Sequence, residues 1–192
     1  MPVIAGLMAV FLLAGTAGMP ADAAAPTFEE PPLAIASASY TLTLTGYNAV
    51  PWQTDDTPFE TASGAYTNPE VVAARSQDLG KELPFGTIVE IVGPESDTPS
   101  CNYNAVAEHI GYRVIADTMN ARLRKRIDVV FSVNDKYLLP GGRSINAASL
   151  LGACAGTQVR VVGFVDIKNP ANLPKTQEEL ASLVHKSFAF GN

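Results

Sequence analysis

Two carboxylates stand eleven residues apart in the stretch DTMNARLRKRIDVVF, Asp117 near its start and Asp128 towards its end, with Arg122, Arg124, Lys125 and Arg126 between them. If two such carboxyl groups converge, one is driven to hold its proton, because two negative charges at short range cannot both form cheaply. A protonated carboxyl beside an ionised one is the pair that cleaves glycosidic bonds, the first protonating the leaving oxygen. The same residue types also suit a plain structural role, with Asp117 capping a turn and Asp128 paired to a neighbouring cation. The spacing leaves both readings open.

Which one holds depends on the elements that carry the two residues. GYRVIAD and RIDVVFS both read as strands, and the carboxylates converge near one sheet end if those strands are neighbours. YTLTLTGY alternates apolar and Thr residues with the period of a half-buried strand, and EVVAARS, LPFGTIVEIVG and TQVRVVGFVDI read as further strands. QTDDTPFETASGAYTNP has neither period and is rich in turn formers, so it is expected to be a long functional loop. In SINAASLLGA, Ser144 is expected to cap a helix whose Ala147, Leu150 and Leu151 share a face. LPKTQEELASLVHKSF carries a capping-box pattern, Thr176 with Glu179, ahead of Leu180, Leu183 and Val184. It predicts an amphipathic C-terminal helix packed on the domain or on a partner.

The chain of 192 residues contains 15 Gly and 14 Pro, which favours one β-rich domain with many turns. A net charge of -6 argues against a nucleic-acid partner, since phosphate neutralisation needs a broad basic surface rather than one cluster. His109 and His185 lie far apart, and no Cys, His or carboxylate set has metal-ligand spacing, so neither metal nor cofactor is expected. The apolar run from Val3 to Gly15, followed by Ala21-Asp22-Ala23, has the pattern of a secretory signal cleaved after Ala23. It is shorter than the ~20 residues that span a bilayer, and no anchoring cysteine follows. Export predicts an oxidising compartment, where Cys101 and Cys154 are expected to pair as a disulfide. The expected organisation is a signal over 1–23, a flexible leader over 24–39, the domain over 40–167 and a helical tail over 168–192.

Several other residues are candidates for the same chemistry. Asp55 and Asp56 read as turn formers, or as a third carboxylate in the cleft. Arg122, nearest the polar Thr-Met-Asn, is the cation best placed to hold a carboxylate of a wall peptide or polymer. Tyr47 and Trp52 are the aromatics available as a sugar platform, while Trp52 serves equally well as a core residue.

The ordered set TGYN, QTDDTPFETASG, VVAARS, LPFGT, VIADTMNARLRKRIDVVF and VRVVGFV, spanning about Thr41 to Asp166, resembles the 3D (three-aspartate) domain of membrane-bound lytic transglycosylase A and of resuscitation-factor-type cell-wall enzymes. The resemblance implies a mainly β fold, a six-stranded double-psi β-barrel. It implies non-hydrolytic cleavage of the bond between N-acetylmuramic acid and N-acetylglucosamine in peptidoglycan strands, with Asp128 as acid and base and Asp117 assisting. Thr61 and Gly64 match the family's Thr-Ala-x-Gly turn at the cleft, and Asn120 and Arg122 fall in the loop that meets substrate. The sequence departs from the pattern in two places. The segment 119–125 contains no Gly where the enzymes have a Gly-rich turn, and the third aspartate position holds Arg75 or Ser76, with Asp78 close by. A non-catalytic barrel that binds peptidoglycan or a protein partner is the alternative that these departures leave.

Overall fold

The computed structural model describes residues 38–54 and 56–189. The expected signal segment and most of the leader lie outside the described residues, as does Asp55. Six strands close a barrel in the order β1 (Ser39–Asn48), β5 (Arg126–Phe131), β2 (Val72–Arg75), β4 (Tyr112–Thr118), β3 (Thr87–Val92) and β8 (Cys154–Phe164). The pairing is mixed: β1 with β5 and β2 with β4 run parallel, and the other four pairs run antiparallel. Mainly β and barrel-forming, the fold has the strands expected from the apolar alternation. Among the described residues no helix is long and apolar enough to cross a membrane.

Alternate residues of each strand divide between two cores, as the two-residue period of a strand requires. Leu42, Leu44, Ala73, Val89, Ile115, Ile127, Val129 and Val159 fall in one apolar cluster. Val72, Ala74, Ile88, Val114 and Val130 fall in the other, which is completed by Leu173, Leu180 and Val184. The central strands are therefore apolar on both faces, which is why VVAA and VIA read as unbroken runs. Gly46 in β1 is dictated by packing: a Cβ there would stand 2.6 Å from the Phe131 ring.

Helix α3 (Gln177–Ala189) follows the expected tail pattern, with Leu180 and Val184 buried in the second cluster. Glu179 N donates to Thr176 Oγ1 at 3.2 Å, the first half of the capping box. The return bond goes one residue further out, from Lys175 N to Glu179 Oε2 at 2.7 Å. Gln177 locks this helix to β4, accepting from Tyr112 N at 3.1 Å and donating to Tyr112 O at 2.8 Å.

Helix α1 (Tyr103–Val106) and helix α2 (Ala147–Leu151) pack together at the other side of the barrel, α2 against β1. The cap of α2 is Asn146, whose side chain accepts from Ala148 N at 2.9 Å, and not Ser144. Ser144 is drawn instead into a hairpin of β6 (Lys136–Leu138) and β7 (Ser144–Asn146), where it pairs with Leu138. Cys101 and Cys154 form a disulfide with both residues buried, tying the segment before α1 to the start of β8. Such a bond belongs to an oxidising environment.

Candidate active site

The two aspartates are not on adjacent strands, as convergence was expected to require. The short strand β2 lies between them, and its Ala74 is the register partner of Asp117 on one side and of Asp128 on the other. Thr45 of β1 continues the row beyond Asp128. A row Thr45, Asp128, Ala74, Asp117 thus crosses four strands, with the aspartate Cα atoms two strand spacings apart, roughly 9–10 Å.

A bulge sets this row. Ala73 pairs with Ile115, but the next β2 residue, Ala74, pairs with Asp117, so Ala116 is an extra residue in β4. Without it Asp117 would share the face of Ile115. With it, Ala116 and Asp117 lie side by side on the face of Ala74, the re-aiming that bulges produce near functional sites. The extra residue's carbonyl is satisfied by Ser63 N at 3.1 Å.

The row floors a cleft of about 540 Å³, which both aspartates and Ala74 line. Its walls are Tyr47, the loop residues Gln53, Thr54, Thr57, Pro58, Glu60, Thr61 and Ala62, and Thr118 to Asn120 with Leu123. Asp117 is fixed by three donors: Tyr47 Oη at 3.0 Å to Oδ2, and Ala62 N at 2.9 Å and Thr118 N at 2.8 Å to Oδ1. Asp128 accepts one hydrogen bond, from Thr45 Oγ1 at 2.9 Å. No ion pair to Arg126 or Lys125 is made by Asp128 among the described residues.

Burial pushes the Asp128 carboxyl up to about 6. Thr45 opposes the rise by bonding the ionised form, the charge of Asp117 adds to it, and Arg126 opposes it weakly. One carboxyl is thus poised near neutrality beside another held by three donors. Burial, and then Asp117, push the Tyr47 phenol well above its usual range, so it remains a donor at ordinary pH.

The other sequence candidates are scattered differently. Thr61 lines the cleft and holds its own turn, its Oγ1 accepting from Ala65 N at 3.1 Å and donating to Ala65 O at 3.0 Å. Gly64 does not line the cleft; it adopts φ 81° to close that turn, donating to Thr61 O at 2.8 Å. Asn120 lines the cleft and caps its loop by accepting from Arg122 N at 3.0 Å, while Arg122 points outward, exposed. Asp56 is exposed and outside the lining. Asp78 accepts from Lys125 N at 3.0 Å and so clasps the basic loop from below rather than facing the cleft. Trp52 is no core residue: it is 81% exposed.

The two departures from the three-aspartate pattern have structural uses. Arg75 turns away from the cleft, donating to Leu83 O at 2.7 Å with its guanidinium 5.2 Å from the centre of the Phe85 ring. Ser76 Oγ accepts from Arg126 N at 3.1 Å, holding the first residue of β5. In the glycine-free loop Lys125 takes φ 50°, the one non-glycine with positive φ among the described residues.

A third carboxylate does reach the cleft, from a position that no motif or period marks. Glu60 lines the wall, placed there by a β-bridge to Tyr66. Its neighbours in sequence are turn formers with no period, so only the bridge reveals its direction. Among the described residues no three His, Cys, Asp or Glu side chains stand together as a metal site. No family model matches the sequence, and no curated protein matches it. The functional reading therefore rests on the barrel and its cleft.

Proposed function

We propose that the protein is an exported peptidoglycan lytic transglycosylase of the 3D-domain type, with its six-stranded barrel of the double-psi kind. One observation carries the reading: Asp128, poised near neutrality, and Asp117, held by three donors, flank Ala74 on the floor of an open cleft.

In this mechanism the protonated Asp128 gives its proton to the glycosidic oxygen as the bond to the muramoyl anomeric carbon breaks. Positive charge develops at that carbon, and the fixed carboxylate of Asp117 stabilises it without reorganising. The sugar's own 6-hydroxyl then attacks the anomeric carbon and returns its proton to Asp128. The carboxyl ends as it began, and the products carry a 1,6-anhydromuramoyl end. No water molecule has to be activated, so a single acid-base group suffices.

The test is digestion of purified sacculi followed by mass spectrometry of the soluble fraction. Wild-type protein is expected to release 1,6-anhydromuropeptides and Asp128→Asn none, with an unchanged fold by circular dichroism. Sacculi left intact by the wild-type protein would refute the reading.

The exposed cations of the loop favour a second reading, a barrel that binds peptidoglycan or a protein partner without cleaving it. Arg122 is exposed beside the cleft-lining Asn120. On that reading sacculi sediment the protein without turnover, Asp128→Asn still binds, and replacing Arg122 and Arg124 weakens binding at low salt and less at high salt, where those exposed charges are already screened.

A further inference from the structure

Three of the four exposed aromatic rings among the described residues lie on one loop, the fourth being Phe164 at the end of β8. Trp52, Phe59 and Tyr66 are 81%, 61% and 62% exposed. All three lie in the segment 50–66, whose Gln53, Pro58, Glu60 and Thr61 line the cleft. Phe59 stands in sequence between the lining residues Pro58 and Glu60, and Tyr66 is bridged to Glu60. Large apolar rings facing water in one place mark a contact surface more often than chance.

The geometry of the pair argues against mutual burial. The planes of Phe59 and Tyr66 are within 17° of parallel and their centres are 6.4 Å apart. Each nevertheless keeps more than half of its surface in water. The backbone beneath them is fixed by the Glu60–Tyr66 bridge, made by Thr67 N donating to Phe59 O at 3.0 Å and Thr61 N donating to Ala65 O at 2.9 Å. Two nearly parallel rings are thus held in place before any ligand arrives, which lowers the ordering cost of binding.

Flat, electron-rich ring faces attract the weakly positive C–H face of a pyranose chair, the same quadrupole that governs contacts between aromatic rings. The cleft, at about 540 Å³, encloses a ligand of small-molecule size. A polymeric glycan that enters it must leave across the rim. We propose that Phe59 and Tyr66 form a sugar-stacking subsite that carries the glycan strand out of the cleft and makes affinity depend on strand length. The proposal rests on the glycan-cleft reading of the preceding section.

The experiment uses the full chain with Asp128→Asn, so that the ligand is not consumed, and two probes: peptidoglycan glycan strands stripped of their peptides, and the single disaccharide unit from the same material. Trp52 is the only tryptophan in the chain, so its fluorescence reports on this loop. The strands are expected to bind about tenfold more tightly than the disaccharide. Phe59→Ala and Tyr66→Ala are each expected to weaken strand binding about fivefold without changing disaccharide binding, and Phe59→Trp is expected to retain it. Unfolding midpoints check that each variant remains folded, and the Phe59→Trp variant keeps the test decisive should an alanine variant misfold.

Equal affinity for the two probes, or strand binding untouched by both alanine variants, would overturn the subsite. Release of anhydromuropeptides by the chain with Asp128 intact shows whether the cleft reading survives that result. Binding of neither probe together with no release from sacculi would overturn both. A change in self-association with no change in glycan binding would make the rings a contact between copies and overturn the subsite.

Discussion

In Asp128→Asn a carboxyl at the cleft floor becomes an amide of the same shape, and the consequence for stability has a definite sign. The carboxyl is raised from an ordinary 3.8 to about 6, chiefly by burial. Between those two pH values the folded protein keeps a proton that the unfolded chain has released, so wild-type stability falls as pH rises through the window. Below it the group costs nothing, and above about 6 the full cost applies. The whole rise corresponds to about 3 kcal/mol at 1.36 kcal/mol per pH unit. Cleft water screens part of this, so about 1–3 kcal/mol is expected. Asn has no charge to desolvate and can still accept from Thr45, so the variant should match the wild type in acid and exceed it by that amount at neutrality. Urea unfolding of both proteins across the pH range, with m-values compared, measures the difference directly. A difference that is flat across the window, or larger in acid than at neutrality, would refute the argument. The same variant is expected to release no anhydromuropeptide at any pH, so stability and activity would move in opposite directions.

Three further outcomes follow from the described geometry. Lys125→Gly is expected to raise stability by about 0.5–1 kcal/mol, because φ 50° is costly for a residue with a Cβ; a lower urea midpoint would show that the lysine side chain compensates. Breaking the Cys101–Cys154 bond, by reductant or by a double Ser substitution, frees a loop with a sequence separation of 53 and is expected to cost about 2–4 kcal/mol. Unfolding with and without dithiothreitol measures that loss, and an unchanged midpoint would count against it. Tyr47→Phe removes one of three donors to Asp117 and is expected to cost about 1 kcal/mol in urea unfolding, the two backbone donors keeping the carboxylate in place.

The strands were legible because burial on one or both faces leaves a mark in the sequence: alternation in YTLTLTGY, unbroken apolar runs in VVAA and VIA. The order of strands around the barrel leaves no such mark. Nothing in RIDVVF or GYRVIAD shows that β2 inserts between them, because hydrogen-bond partners are chosen by closure of the whole barrel. The bulge at Ala116 was equally silent, since Ala is no bulge signal and the flanking residues keep a strand-like pattern. Ser144 carried a good capping signal that lost to strand pairing with Leu138, leaving Asn146 to cap α2. The aspartates could be singled out by type and spacing, but their flanking of Ala74 could not. Glu60, Phe59 and Tyr66 were hidden in an aperiodic loop whose shape depends on one isolated bridge.

Ala74 belongs to a strand of four residues and is bonded in register to both aspartate-bearing strands. The distance between the two carboxyl-bearing backbones is therefore a multiple of the sheet repeat, not a product of side-chain packing. It cannot drift by small steps: changing it requires moving the bulge or adding or losing a strand. The loops that form the walls carry no such constraint. A cleft built this way can exchange its rim while the two aspartates keep their separation.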